Sequence, residues 1–124
     1  MATIREIVFD CESAPTLARF WAELLDGYSV RPYDQAEVDR LAKLGLTPET
    51  DPTVLVDGPG PMLCFQQVQD RRYEGDRVHL DLSVADRRQE VQRVRALGGA
   101  VVREAPDYTV MRDPEGNQFC IVER

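Results

Sequence analysis

The chain has 124 residues, of which 43% are hydrophobic and 30% charged, proportions typical of a globular protein that folds as a single domain. Its net charge of −7 argues against a surface that binds nucleic acid or an anionic membrane. No apolar run approaches the ~20 residues of a membrane-spanning helix, and the first ten residues lack the layout of a signal peptide.

The first half of the chain predicts a strand, a helix and then further strands. Residues 4–11 are rich in β-branched and aromatic side chains, which favour a strand. Ser13 is a candidate N-cap for a helix that begins near Pro15. Residues 28–33 predict a short edge strand, because the proline within them cannot donate to a sheet. A second amphipathic helix is predicted at residues 34–46. Two strands at 53–56 and 62–68 and a polar segment at 69–76 follow it.

The second half of the chain repeats this order. Residues 77–84, RVHLDLSV, predict a strand that holds His79, the only histidine of the chain. Asp86 is a candidate N-cap for the following helix, which Gly98 and Gly99 would end. Three more strands are predicted at residues 100–105, 108–112 and 118–123, with the turn DPEGN before the last of them.

Both halves therefore follow the order strand, helix and three strands. They predict a single domain made of a module at 1–68, a linker at 69–76 and a module at 77–124. The segment 57–64, DGPGPMLC, aligns without a gap with 113–120, DPEGNQFC. Two paired βαβββ modules predict an α+β fold, in which helices cover the outer faces and curved mixed sheets form a cup.

Glu6 and His79 are equivalent in this repeat, because each lies seven residues before a helix N-cap. Alternate residues of a strand share a face, so Asp10 lies on the same face as Glu6, and Asp81 lies on the same face as His79. If the two first strands are neighbours, these four residues form the floor of the cup, and the carboxylates raise the pKa of His79. They are our predicted ligand-binding residues. The alternatives are solvated polar residues on an open sheet face and an acid–base pair that performs chemistry.

The paired layout and three segments resemble the glyoxalase-like branch of the vicinal oxygen chelate superfamily. The segments are IVFDCESAPTLARFWAELLDGY at 7–28, HLDLSV at 79–84 and VMRDPEGNQFCIVE at 110–123. That superfamily includes glyoxalases, extradiol dioxygenases, fosfomycin-resistance enzymes and bleomycin-binding proteins. The resemblance implies the paired fold, a cup that takes a small molecule, and a homodimer.

The resemblance also implies four positions at which metal-dependent members hold an ion. In this sequence they are Glu6, Cys64, His79 and Cys120. Two cysteines stand where a carboxylate or histidine is usual, so we expect no metal and no other cofactor. A divalent ion such as Zn²⁺ at these four residues is the alternative. The cysteines could also be small buried fillers, or have a redox or nucleophilic role.

Three functions remain open, and no residue is assigned a catalytic role. The altered metal positions favour a protein that binds a small molecule in a polar cup, and the acidic charge would suit a cationic ligand. The alternative is a metal-dependent lyase, isomerase or dioxygenase of the same superfamily. A structural or regulatory dimer with a filled cup is the third. The three cysteines show no CxxC spacing, which predicts free thiols and a cytoplasmic protein.

Overall fold

The computed structural model describes residues 1–69 and 77–124, so nearly all of the predicted linker at 69–76 lies outside the described residues. The described residues form strands and helices in the predicted order. The strands are β1 Thr3–Cys11, β2 Ser29–Val30, β3 Thr53–Asp57, β4 Met62–Gln67, β5 Val78–Val84, β6 Ala100–Glu104, β7 Tyr108–Arg112 and β8 Gln118–Glu123. The helices are α1 Ala14–Leu24, α2 Gln35–Lys43 and α3 Arg87–Ala96.

The strands form one mixed eight-stranded sheet in the order β2-β3-β4-β1-β5-β8-β7-β6. β1 and β5, the first strands of the two modules, are antiparallel neighbours at its centre. Each also pairs in parallel with the last strand of its own module, β1 with β4 and β5 with β8. The α+β fold predicted from the sequence is confirmed, and the two modules meet along the β1–β5 seam.

Strand register agrees with the residue equivalences between the two modules that the sequence indicates. Val8 on β1 pairs with Cys64 on β4, and Asp81 on β5 pairs with Cys120 on β8. Val8 corresponds to Asp81 by the N-cap spacing that pairs Glu6 with His79, and Cys64 corresponds to Cys120 in the gap-free alignment. The same pairing therefore occurs once in each module, which places the two cysteines at equivalent points of the sheet.

The apolar core lies between the sheet and the helices, and it is divided between the modules. Phe9 packs against the first cluster, with its ring centroid 5.7 Å from that of Trp21 and 5.0 Å from that of the buried Phe65. Ala14 and Ala18 of α1 are fully buried, since their small side chains let the helix approach the sheet. The second cluster consists of Val84, Val91, Met111 and Ile121. The helices thus cover one face and leave the other face of β1 and β5 to the cup.

Both predicted N-cap residues occupy their positions, and one predicted strand needs its bounds corrected. Ser13 occupies the N-cap position of α1, but it makes no capping hydrogen bond, because its hydroxyl bonds to the side chain of Thr16 instead. Asp86 caps α3 as predicted, accepting from the backbone N–H of Gln89. The strand predicted at 28–33 is only Ser29–Val30, since Pro32 cannot continue the ladder.

None of the three cysteines, all of which lie in the described residues, forms a disulfide bond, as predicted. Among the helices of the described residues, none is long and apolar enough to cross a membrane.

Candidate functional site

The seam between β1 and β5 brings the predicted residues together on the face that points away from the helices. Val8 lies opposite His79, and Glu6 lies opposite Asp81. The register shifts by one residue at Arg5, between Ile4 and Glu6. Because opposite residues of an antiparallel pair point to the same side, Glu6, His79 and Asp81 share one floor.

His79 lies next to an aspartate and a thiol. Its Nε2 is 3.3 Å from Oδ1 of Asp81, and both side chains are 18% exposed. One donor atom each of His79, Asp81 and Cys120 lie within 4.8 Å of one another. These three residues, which we call the His–Asp–Cys cluster, come from the neighbouring strands β5 and β8.

The two neighbours stabilise the protonated form of the imidazole. The contact with Asp81 raises the pKa of His79 most, the contact with Cys120 adds to it, and together they outweigh burial to bring the pKa to about 10. The direction agrees with the prediction from the sequence. The cause is narrower than predicted, because Asp81 is the carboxylate responsible and the second contribution comes from a thiol. His79 is therefore a cation at neutral pH.

Glu6 and Cys64 form the matching pair on the other side of the seam. Burial, followed by the charge of Asp81, raises the pKa of the Glu6 carboxyl. Burial and then the adjacent Glu6 raise the pKa of the Cys64 thiol to about 12. Oε2 of Glu6 is buried and has no hydrogen-bond partner among the described residues. Burial therefore shifts the titration of both groups toward higher pH.

A cavity of about 510 Å³ opens over the His–Asp–Cys cluster. Three of the four residues predicted from the sequence line it, namely Asp10, His79 and Asp81. Glu6 is not among the described lining residues; it sits next to the buried Cys64. The structure therefore brings the four predicted residues to one region but places only three at the cavity surface.

Sequence reasoning missed several lining residues. Gln66 donates from Nε2 to Oδ1 of Asp10 at 2.9 Å, which fixes that carboxylate at the rim. The guanidinium of Arg103 lies 5.6 Å from the centre of the Tyr108 ring, and both residues line the cavity.

The period of two along a strand could have identified some of them. Gln66 lies two residues after Cys64, and Gln118 lies two residues before Cys120. Each glutamine therefore lies on the same face of its strand as a cysteine at one of the four metal positions. No comparable signal marked Arg103, because its place depends on how β6 packs beside β7.

The four residues at the superfamily's metal positions do not fit the hard, six-coordinate ion that such sites usually hold. That ion requires oxygen and imidazole donors, whereas Cys64 is a buried, protonated thiol in contact with Glu6. The His–Asp–Cys cluster is a different set of donors. It shares His79 and Cys120 with the superfamily positions, and its third donor is Asp81. Imidazole, carboxylate and thiolate at this spacing suit a softer ion such as Zn²⁺.

Comparison with known proteins supports the fold. The sequence model of a glyoxalase-like domain matches residues 6–122. A glyoxalase/bleomycin resistance protein/dioxygenase superfamily member from Vibrio splendidus is 17% identical, with a TM-score of 0.56 over 98% of this chain and 100% of the other. A hypothetical protein from Bacillus halodurans C-125 is 12% identical, with a TM-score of 0.62 over 99% and 94%. At these identities the structures show a shared fold alone. A comparison with curated proteins gave no match.

Proposed function

Because this chain belongs to the glyoxalase-like family of the vicinal oxygen chelate superfamily, we propose that it binds a small organic molecule in its cup without the usual metal of that superfamily. The observation that carries the proposal is the cavity of about 510 Å³ over the His–Asp–Cys cluster. This volume falls in the range of small-molecule sites, which is ~300–1,000 Å³. A homodimer in the cytoplasm is part of the same proposal.

The chemistry of the walls suggests what kind of molecule the cup takes. Asp10 and Asp81 supply negative charge to the described cavity surface, while His79 and Arg103 supply positive charge. The charges on the cup surface therefore nearly cancel. The net negative charge of the whole chain does not by itself favour a cationic ligand. Val102, Val110, Tyr108, Phe119 and Val122 supply apolar surface. We accordingly propose a neutral or zwitterionic ligand with an apolar body.

A metal-dependent lyase, isomerase or dioxygenase is the second candidate, favoured by the three donor atoms within 4.8 Å of one another. On this alternative, His79, Asp81 and Cys120 would hold an ion such as Zn²⁺, which would act as a Lewis acid toward a bound carbonyl. The two candidates differ in whether the cluster needs an ion before it can act.

A ligand screen with matched variants tests the first candidate. Neutral, zwitterionic and cationic compounds are screened by thermal shift, and hits are measured by calorimetry. Gln66→Ala alters the cup, whereas Gln67→Ala changes the exposed neighbour on the opposite face of β4. We expect Gln66→Ala to weaken a hit by about tenfold, because a hydrogen-bonding group at the cup surface is lost. Gln67→Ala should leave affinity unchanged. Equal effects of the two substitutions would contradict binding in the cup.

A further inference from the structure

The cavity surface carries two charged groups that have no partner of opposite charge. Asp10 lies on β1 and Arg103 lies on β6, and both line the cavity. Within the part of the chain that the structure describes, neither of them forms an ion pair. His79 and Asp81 on β5, the other two charged residues of the lining, contact each other at 3.3 Å. The groups left to bind charges on a ligand are therefore one carboxylate and one guanidinium.

The strand order places these two groups far apart. The sheet runs β1-β5-β8-β7-β6 from Asp10 to Arg103. Four steps of ~4.8 Å between neighbouring strands separate their backbones by about 19 Å along the sheet. Curvature of the sheet and the length of the arginine side chain shorten the gap between the charged atoms. The carboxylate and the guanidinium thus lie on opposite sides of the cup.

Strand register adds to this separation. Backbone pairing runs from Arg103 through β7, β8 and β5 to Glu6 on β1. Asp10 lies four residues farther along β1 than Glu6, which corresponds to about 13 Å at the rise of a strand. The two charged groups are therefore placed diagonally across the sheet, too far apart to bind charges that a ligand carries on one carbon atom.

Neighbouring side chains hold both groups in place. Gln66 donates from Nε2 to Oδ1 of Asp10 at 2.9 Å, which orients the carboxylate. The guanidinium of Arg103 lies 5.6 Å from the centre of the Tyr108 ring, and its Nη1 is 3.5 Å from the Tyr108 hydroxyl. A guanidinium stacked on a ring keeps N–H groups in its plane to donate to a carboxylate. Both groups are thus oriented before a ligand arrives, which lowers the entropy lost on binding.

We propose that the cup selects a linear zwitterion, in which an amino group at one end and a carboxylate at the other are separated by an apolar body. Asp10 binds the ammonium group, and Arg103 binds the carboxylate. The apolar body lies against Val110, Val122 and the ring of Tyr108. This inference rests on the proposed function, since it concerns the same cup. It excludes α-amino acids, in which one carbon atom carries both charged groups.

The two ends differ in how strongly solvent screens them. Asp10 is partly buried, whereas Arg103 is exposed. Hydrogen bonds between ionised groups are stronger than neutral ones, and the gain shrinks where water reaches the pair. We therefore expect the contact at Asp10 to contribute more to affinity than the contact at Arg103.

Pairs of isomeric amino acids provide the test. An ω-amino acid carries its amino group and its carboxylate at opposite ends of an alkyl chain, and the unbranched α-amino acid of the same formula carries both at one end. Affinities of both isomers are measured by calorimetry at neutral pH for chains of four to ten carbon atoms. We expect the ω isomer to bind about tenfold more tightly than the α isomer once its chain spans the cup.

Substitutions assign the two ends. Asp10→Asn should remove the advantage of the ω isomer and leave the affinity of the α isomer nearly unchanged. Arg103→Gln should weaken both isomers by about threefold, because both carry the carboxylate. Asp26→Asn and Arg88→Gln change exposed residues of the same types outside the cavity lining and should have no effect. If a cup variant fails to fold, the comparison of isomers on the wild-type protein still decides.

The outcomes separate this inference from the proposed function. Equal affinities of the two isomers at every chain length would overturn the inference, and so would an advantage of the ω isomer that survives Asp10→Asn. Failure of both isomers to bind, together with a screening hit that Gln66→Ala weakens, would overturn it and leave the proposed function intact. If neither the isomers nor any screened compound bound, both would be overturned.

Discussion

Glu6 and Asp81 lie directly opposite each other across the β1–β5 seam, so two carboxyl groups face one another at the centre of the sheet. Like charges at such a position destabilise a sheet. The conflict is eased because burial and Asp81 raise the pKa of Glu6, while Asp81 interacts with the cationic His79. The seam therefore gives its two facing carboxyl groups different neighbours, Cys64 beside Glu6 and His79 beside Asp81.

Replacing Glu6 by glutamine should stabilise the protein at neutral pH by about 1 kcal/mol, because the like-charge contact disappears. A carboxyl group whose pKa is raised on folding contributes most stability at low pH, and this contribution is lost as pH rises above its ordinary value of 4.5. The advantage of Glu6→Gln should therefore grow from pH 4.5 toward neutrality. Urea unfolding at several pH values measures it, with the exposed Glu23→Gln as control. A constant difference across this range would contradict the coupling.

The imidazole of His79 should titrate far above its ordinary value of 6.5, near its raised pKa of about 10. Because the chain has one histidine, a single imidazole signal in an NMR titration reports on it without assignment. Asp81→Asn should move this pKa back toward 6.5, since Asp81 is the main cause of the shift. A midpoint near 6.5 in the wild-type protein would show that the cluster is not formed in solution.

The same shift fixes how stability depends on pH. The folded state binds the His79 proton more tightly than the unfolded state, so the contribution is complete below pH 6.5 and is lost as pH rises through about 10. We expect His79→Asn to cost about 1 kcal/mol at pH 6, as for a partly screened ion pair, and almost nothing above pH 10. Urea unfolding of both proteins across this range checks the sign, and a growing cost at high pH would contradict it.

Metal ions provide a separate prediction. Because two of the four superfamily metal positions are cysteines and not oxygen ligands, we expect neither EDTA nor Mg²⁺ to change the Tm of the purified protein. Zn²⁺ is the informative addition, since the His–Asp–Cys cluster could accept it. Metal analysis that finds one bound equivalent, with a Tm that falls on chelation in the wild type but not in His79→Asn, would favour the metal-dependent candidate.

A packing prediction concerns the turn between β3 and β4. A Cβ atom at Gly58 would lie 2.5 Å from Cδ1 of Tyr28, whose hydroxyl donates to the backbone oxygen of Pro61. Gly58→Ala should therefore destabilise the protein by ~1–3 kcal/mol, as overpacking does. The cost should fall in a Tyr28→Ala background, because the ring is then absent. Thermal unfolding of the four proteins in this cycle measures the coupling, and an equal cost in both backgrounds would exclude the contact as its cause.

Much of the architecture could be predicted from sequence because it follows from local patterns. The repeat of strand, helix and strands identified two equivalent modules, and seven-residue spacing to the N-caps paired Glu6 with His79. Ser13 occupies its predicted N-cap position, although its hydroxyl bonds to Thr16 and not to the helix backbone. The metal positions were implied by resemblance, and the sequence could not reveal what their side chains contact.

The sequence by itself determined which residues share a face, because the alternation of a strand is a property of each strand alone. It thereby placed His79 and Asp81 on one face of their strand, and Glu6 and Asp10 on one face of theirs. Only the tertiary structure decided that Cys120 joins Asp81 beside His79, since that contact depends on the register between β5 and β8. It also decided that Cys64 is buried beside a carboxyl group while its equivalent, Cys120, meets a cavity and an imidazolium. Identical residue types at equivalent positions differ here because their neighbours come from distant parts of the chain.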